Sequence, residues 1–205
     1  MNPKILKGTA AIIILLVLGY FAGTLSERAP GPAPVVISHG EADIGGAFEL
    51  VDTGGNAVTD QTLLGKKALI YFGYTNCPDV CPLDMNRISM ALNILGQNRP
   101  VLEVLQPVFI SIDPARDPPD QVARFLARYH PSFIGLTGTF EQMERTAKAY
   151  KVAYEKILAA EDQPLINHSS NIYLMDEQGK YITHFGSDVP PGALAEAILG
   201  HLGSS

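Results

Sequence analysis

Two kinds of hydrophobic pattern alternate along the middle of the chain. Continuous apolar runs at 66–75 and 107–113 are typical of strands buried on both faces. Apolar residues three and four positions apart at 82–96 and 118–130 predict amphipathic helices. Turn and capping signals predict a hairpin at 47–59, a strand at 133–138, a helix from the capping pair Thr139 and Gln142 to Tyr150, a hairpin at 171–186 and a final helix at 190–202.

This order of elements decides the fold class. Helices alternate with buried strands through the middle, a hairpin comes before them, and a hairpin and a helix close the chain. We therefore predict an α/β domain with a thioredoxin-like fold and an N-terminal β-hairpin extension. The domain covers residues 41–205, and a chain of this length supports one hydrophobic core.

An uncharged apolar segment lies close to the N-terminus. Residues 9–26 follow the basic residues of segment 1–8, Lys4 and Lys7, and are long enough to cross a bilayer. A cleaved secretory signal is the alternative, but the candidate cut after Ala22 has Tyr20 where such a signal carries a small residue. We expect a single transmembrane anchor in the bacterial inner membrane, with its N-terminus in the cytoplasm and the C-terminal domain in the periplasm.

Composition narrows the possible partners. Residues 27–40 are rich in proline and glycine, which predicts an extended linker between the anchor and the domain. The chain is 46% hydrophobic and 18% charged with a formal net charge of -6, as expected for a soluble acidic domain tethered to a membrane. Because no basic stripe is present to neutralise phosphates, we expect no binding of nucleic acid.

The only two cysteines of the chain, Cys77 and Cys81, lie between a predicted strand and a predicted helix. Proline is tolerated at the first position of a helix, so we expect the helix to begin at Pro82, with Asp84 in its first turn. Unpaired N–H groups at a helix start favour thiolate over thiol. We therefore predict that both sulfurs are poised as anions.

Three roles are open to this cysteine pair. A structural disulfide across so short a loop stabilises little. Reversible dithiol chemistry is possible, although redox enzymes of this fold use two intervening residues rather than three. The wider spacing suits two sulfurs that share a metal ion.

A metal site needs a third ligand, and five histidines are available. His39, His130, His184 and His201 lie in the linker, after a helix, on a surface strand and near the C-terminus. His168 instead follows an irregular stretch and precedes the strand predicted from residue 171, so a loop can bring it over the cysteines. Two thiolates and one imidazole suit copper and can also hold zinc.

Four segments, read in order, resemble the Sco/SenC family of copper-delivery proteins. They are FGYTNCPDVCPLDM, FISIDPARDPP, YKVAYEK and NHSSNIYLMDEQGK. The resemblance implies a thioredoxin-like fold that holds Cu(I) and Cu(II) through Cys77, Cys81 and His168, with Asp113 close to the site. Two positions depart from the family pattern, because the family often has Asp at Asn167 and Thr at Pro118. Asn167 therefore supplies no carboxylate beside the histidine.

The resemblance also implies a function. It indicates a periplasmic copper metallochaperone, a binding and transfer protein rather than an enzyme, that delivers copper to the binuclear copper centre of cytochrome c oxidase during assembly. The partners implied are the copper-site subunit of the oxidase and other periplasmic copper carriers. Two alternatives use the same cysteines: a thiol-disulfide oxidoreductase that reduces the cysteines of that subunit, and a redox sensor.

Overall fold

The computed structural model describes residues 43–97, 101–157 and 165–202. Residues 1–42, which include the predicted anchor, the linker and His39, lie outside this described part. None of the helices in it has the length and apolar character needed to cross a membrane.

Within the described residues the chain forms nine strands, five α-helices and one 3₁₀ turn. The strands are β1 Glu49–Asp52, β2 Ala57–Thr59, β3 Lys67–Gly73, β4 Leu105–Ser111, β5 Ile134–Thr137, β6 Tyr154–Ile157, β7 Leu165–His168, β8 Ile172–Met175 and β9 Tyr181–Phe185. The helices are α1 Val80–Gly96, α2 Val101–Val104, α3 Pro119–Leu126, α4 Phe140–Ala149 and α5 Pro191–Leu202, and the 3₁₀ turn is Asp60–Leu63.

A seven-stranded sheet in the order β2-β1-β5-β4-β3-β8-β9 forms the centre of the domain. Strand β3 pairs in parallel with β4, and β4 pairs in parallel with β5. Strand β8 is antiparallel to β3, and β1 is antiparallel to β5. The α/β prediction is thus confirmed, and the hairpin predicted at 47–59 is the β1–β2 pair that extends one edge of the sheet.

Strand β3 carries the continuous apolar run because it lies inside the sheet with both faces covered. All seven of its residues are buried, including Lys67, whose ammonium pairs with Glu177. Helix α1 packs beside α5 and buries residues three or four positions apart, among them Met85, Ile88 and Leu92. The core therefore continues without interruption beneath the strand-to-helix connection and the first turn of α1, which hold the two cysteines.

Most predicted elements are confirmed, and the boundaries supply the corrections. The predicted capping box of Thr139 and Gln142 starts α4, and the hairpin predicted at 171–186 is β8–β9. Helix α1, however, begins at Val80 and not at Pro82. The reason is that proline lacks an N–H that the first turn leaves unpaired anyway, so Pro82 fits inside that turn as well as at its start.

A second correction concerns the segment that carries His168. We expected an irregular stretch followed by a strand, but Leu165–His168 is itself a strand, paired with Tyr154–Ile157 in a separate two-stranded sheet. Each strand has only four residues, and Ile166 is the buried member of β7. Such a short alternation of apolar and polar residues is hard to recognise in the sequence.

Candidate metal centre

The two cysteines lie where β3 ends and α1 begins. Cys77 is half-buried in the connection, whereas Cys81 lies in the first turn of α1 with none of its surface exposed. The backbone N–H of Cys81 donates to the Cys77 sulfur at 3.3 Å, and the two sulfurs are not joined in a disulfide. The helix start thus holds one sulfur at the surface and the other in the core.

His168 contacts this pair from a different part of the chain. Its Nε2 atom lies 3.4 Å from the Cys81 sulfur, although the two residues are 87 positions apart in the chain. Its Nδ1 atom lies 3.2 Å from the carbonyl oxygen of Ser169. Because Nδ1 can pair with that carbonyl only as a donor, Nε2 is the ring nitrogen that faces the cysteines.

The pKa values of the two thiols shift in opposite directions. A hydrogen bond from the Cys81 thiol, helped by His168 and by the N–H groups of Cys81 and Asp79, lowers the pKa of Cys77 to about 3 against the opposing effect of burial. The same hydrogen bond and the burial of the sulfur raise the pKa of Cys81. The prediction that both sulfurs are anions is therefore wrong, because the Cys81 thiol keeps its proton to donate it to the Cys77 thiolate and is itself buried.

Beneath Cys81 lies a buried polar pair that sequence reasoning did not foresee. The hydroxyl of Tyr71 donates to the carboxylate of Asp84 at 3.0 Å, and Arg87 contacts the same carboxylate at 2.5 Å. Asp84 is therefore not the first-turn, dipole-facing residue that we predicted. Since side chains alternate along a strand, Tyr71 and Gly73 share one face of β3, and this alternation was the available signal.

Gly73 leaves room for the Cys81 sulfur. A Cβ atom at this position would stand 3.2 Å from that sulfur and 2.9 Å from the Cε1 atom of Tyr71. Both distances are shorter than ordinary van der Waals contact. The absence of a side chain at the end of β3 is thus a condition for seating Cys81.

The β6–β7 hairpin that carries His168 is tethered through aromatic residues to the cysteine connection, which is the segment 74–79 between β3 and α1. The N–H of Ile166 donates to the hydroxyl of Tyr74 at 3.2 Å. The imidazole of His168 packs edge-on against the rings of Tyr71 and Tyr74, with centroid distances of 6.3 and 6.1 Å. A groove of about 220 Å³, lined by residues that include Cys77, Tyr74 and His168, opens beside these contacts.

The donor set fits a soft metal ion. Sulfur at about 2.3 Å and nitrogen at about 2.0 Å from a shared three-coordinate ion lie about 3.7 Å apart, a few tenths of an ångström more than the Cys81 to His168 distance. In the described part of the chain no three His, Cys, Asp or Glu side chains have the arrangement of a formed metal site. Cys81 and His168 contact each other as hydrogen-bonding partners, and these two donor atoms have to move slightly apart to share an ion.

The other candidate residues have different surroundings. Asp113 is buried and its carboxylate pairs with Arg116, whose guanidinium lies 5.7 Å from the centre of the Tyr74 ring. His130 pairs with Ser132 at 2.6 Å, and His184 pairs with the hydroxyl of Tyr181 at 2.5 Å. His201 lies in the last turn of α5. The structure thus brings His168 to the cysteines, whereas Asp113 pairs with Arg116.

Comparison with known proteins places these features in a family. The SCO1/SenC family model matches residues 37–203. The chain is 37% identical over 206 residues to the SCO2-like protein of Rickettsia felis, and the match covers 98% of this chain and 99% of that protein. It is 42% identical over 167 residues to Protein sco1 of Schizosaccharomyces pombe, where the match covers 80% of this chain but only 63% of the length of that protein.

A solved structure has the same fold. The crystal structure of Arabidopsis thaliana ScoI with copper bound superposes with a TM-score of 0.73 at 34% identity. The match covers 78% of this chain and 98% of that one.

Proposed function

The chain belongs to the SCO1/SenC family, and on this premise we propose that it is a copper metallochaperone. It binds copper through Cys77, Cys81 and His168 and delivers the ion to the binuclear copper centre of cytochrome c oxidase during assembly. Copper is its cargo. The observation that carries the proposal is the contact between the Cys81 sulfur and His168 Nε2, which joins a core helix to a separate hairpin at 3.4 Å.

The chemistry of the donors supports copper rather than a hard cation. Two sulfurs and one imidazole are soft to borderline ligands, which exclude magnesium and calcium and suit copper. The two sulfurs alone can hold Cu(I), while Cu(II) prefers the added nitrogen of His168. The copper-bound Arabidopsis relative supports the same reading.

The surroundings of the site suit transfer rather than permanent storage. Cys77 is half-buried and lines the groove beside the site, so an incoming ligand can reach it. Its low pKa keeps it a thiolate, and a thiolate binds the metal without first losing a proton. The recipient is the copper-site subunit of the oxidase, and other periplasmic copper carriers are the donors.

Residues 9–26 anchor the protein in the inner membrane in this proposal, with the copper-binding domain in the periplasm. The support is the charge-free apolar segment behind Lys4 and Lys7. The protein made in cells should then resist alkaline extraction of membranes and keep its N-terminus. Recovery in the soluble fraction, or a chain that begins after residue 22, would contradict the anchor.

A second function is favoured by one observation. The Cys77 sulfur is half-buried beside a groove and its pKa is lowered, so at neutral pH it is a thiolate that the disulfide of a partner can reach. The chain would then be a thiol-disulfide oxidoreductase that reduces the cysteines of the oxidase subunit. The two functions differ in their need for His168, because disulfide exchange uses the sulfurs alone.

Complementation of cells that lack the protein separates the two functions. With scarce copper, we expect Cys77→Ser and His168→Ala both to fail to restore oxidase activity, and we expect added copper to restore activity partly in both. If His168→Ala supports full activity with scarce copper while Cys77→Ser does not, the metallochaperone proposal is wrong and the oxidoreductase takes its place. Immunoblots have to show equal amounts of each variant.

A further inference from the structure

A buried carboxylate is bound to the residue that lies two positions before Cys77. Asp117 lies between β4 and α3 and has none of its surface exposed. It accepts three hydrogen bonds: from the N–H of Thr75 at 2.9 Å, from the hydroxyl of Thr75 at 2.6 Å, and from the hydroxyl of Ser111 at 2.6 Å. Buried carboxylates are costly, and this one is matched by donors from two other parts of the chain.

Thr75 is the residue through which Asp117 reaches the site. It lies two positions before Cys77, in the connection that follows β3. Both its N–H and its hydroxyl are bound by Asp117, and Gln121 of α3 donates to the same hydroxyl at 3.2 Å. Residues outside the cysteine connection thus fix the backbone at its start.

Tyr74, which precedes Thr75, continues the chain of contacts toward the hairpin that carries His168. Tyr74 offers its hydroxyl to the N–H of Ile166, the buried residue of β7, at 3.2 Å. The guanidinium of Arg116, which is adjacent to Asp117 in sequence, lies 5.7 Å from the centre of the Tyr74 ring. Tyr74 and Thr75 therefore link the Asp117 turn on one side to the histidine hairpin on the other.

Asp117 is itself fixed to the sheet. Its N–H donates to the carbonyl of Asp113 at 3.0 Å, and its own carbonyl accepts from the hydroxyl of Thr137 in β5 at 2.8 Å. Because both its backbone groups and its side chain are engaged, it cannot move independently of β4 and β5. It is a fixed point to which the connection is bound.

On these contacts we propose that Asp117 is a positioning residue that sets the distance between the cysteine pair and His168, acting through Thr75 and Tyr74. The proposal deepens the proposed function and rests on it for its effect on copper. Its structural part, the coupling of Asp117 to Ile166, does not depend on any metal.

The structure offers a matched pair of substitutions. Thr75 and Ser111 each donate a hydroxyl to the same carboxylate at 2.6 Å, but Thr75 belongs to the cysteine connection and Ser111 to β4. Thr75→Val and Ser111→Ala therefore remove equivalent hydrogen bonds with different consequences for the site. Thr75→Ser keeps the hydroxyl and is the rescue control. Asp117→Asn is a harsher test, because an amide would direct N–H groups at one of the donors.

The experiment uses the full-length protein and measures two quantities. The first is Cu(II) affinity by competition with a chelator, together with the sulfur-to-Cu(II) absorption band. We expect Thr75→Val to weaken Cu(II) binding about tenfold and to shift the band, as the loss of an outer partner of a ligand does. We expect Ser111→Ala and Thr75→Ser to stay within about twofold of the wild type.

The second quantity is hydrogen exchange at the Ile166 amide without metal. Thr75→Val should speed this exchange about fivefold to tenfold, as expected for a weakened hydrogen bond, while Ser111→Ala leaves it unchanged. Equal effects of Thr75→Val and Ser111→Ala in both measurements would overturn the proposal. If the wild type binds no copper, the proposed function fails, while the exchange rates still decide whether Asp117 positions the hairpin.

Discussion

The two halves of the candidate metal centre are built differently. The cysteine connection extends from β3, whose seven residues are all buried, and Cys81 itself is enclosed by Tyr71 and Gly73. The β6–β7 hairpin is a separate two-stranded sheet, and β7 buries mainly Ile166 while Leu165 is 40% exposed. The sulfurs are thus held by the core, and the imidazole is held by an outlying element.

This difference separates thiol chemistry from metal chemistry. Properties that depend on the sulfurs alone should persist when the hairpin is disturbed, because the core holds the sulfurs in place. Properties that need all three donors should be sensitive to both regions. A site of this kind suits a carrier, since one ligand can withdraw without unfolding the domain.

The largest expected effect is on the ionisation of Cys77, which lies in the cysteine half. With a pKa lowered from 9.0 to about 3, Cys77 should be almost fully ionised at pH 6, where an ordinary thiol is ionised to about one part in a thousand. Ultraviolet absorbance of the reduced, metal-free protein should count one thiolate per chain from pH 8 down to about pH 4.

The ionisation of Cys77 also predicts a direction for stability. A depressed pKa contributes stability above the pKa of the unfolded thiol, and this contribution is lost as the pH falls toward about 3. The thiolate signal should disappear in Cys77→Ser and persist in His168→Ala, because the main cause of the shift is the Cys81 thiol. Loss of the signal in His168→Ala would show that the two halves are not separable.

Loss of either sulfur should have the next largest effect. Cys77→Ser and Cys81→Ser should each weaken Cu(I) binding by more than about a hundredfold. This loss exceeds the one that follows when only a hydrogen-bonding partner of a metal ligand is removed. Cys77→Ser should still fold, since Cys77 is only half-buried, but at neutral pH it should lose the stability that the low pKa of this thiol contributes. One tightly bound copper per chain in either variant, measured by metal analysis after anaerobic dialysis, would remove that cysteine from the site.

Gly73→Ala should destabilise the packing around Cys81 in the cysteine half. The added Cβ would stand 2.9 Å from a Tyr71 ring atom and 3.2 Å from the Cys81 sulfur, so the free energy of unfolding should fall by about 1–3 kcal/mol. Gly96→Ala is the matched control, because a Cβ at the end of α1 meets nothing within 4 Å. Urea unfolding of both variants measures the difference, and equal stabilities would mean that Cys81 does not need the space.

Tyr74→Phe should produce the smallest effect and should act mainly on the histidine half. It removes the hydroxyl that accepts from the Ile166 N–H at 3.2 Å but keeps the aromatic ring beside His168. We expect Cu(II) affinity to fall about threefold to tenfold, with the Cys77–Cys81 disulfide potential unchanged. If the disulfide potential changed while the Cu(II) affinity did not, Tyr74 would act on the cysteines and not on the hairpin.

The same division explains what could be predicted from the sequence. The cysteine half depends on local patterns: the apolar run of β3, the helical spacing of 82–96 and the proline beside Cys81 are adjacent in the chain. Pro82 lies two residues after the true start of α1, because any position in a first helical turn accepts proline. Asp84 was misplaced because its burial depends on the hydroxyl of Tyr71, which lies on another element.

The histidine half depends on tertiary contacts. The family resemblance named His168 as a ligand, but neither the β6–β7 pairing nor the Ile166 to Tyr74 bond, which joins residues 92 positions apart, has a signal in the local sequence. The same is true of Asp117, whose link to Thr75 spans 42 positions. Contacts of this range follow from the fold and not from periodicity.

X-ray absorption at the copper edge of the Cu(II)-loaded full-length protein tests the central claim most directly. The account predicts two sulfurs and at least one imidazole nitrogen around copper in the wild type. It predicts that His168→Ala loses the imidazole scattering and the sulfur-to-Cu(II) absorption band, while keeping Cu(I) on two sulfurs and a near-normal disulfide potential. An unchanged Cu(II) spectrum in His168→Ala would contradict the three-ligand copper site.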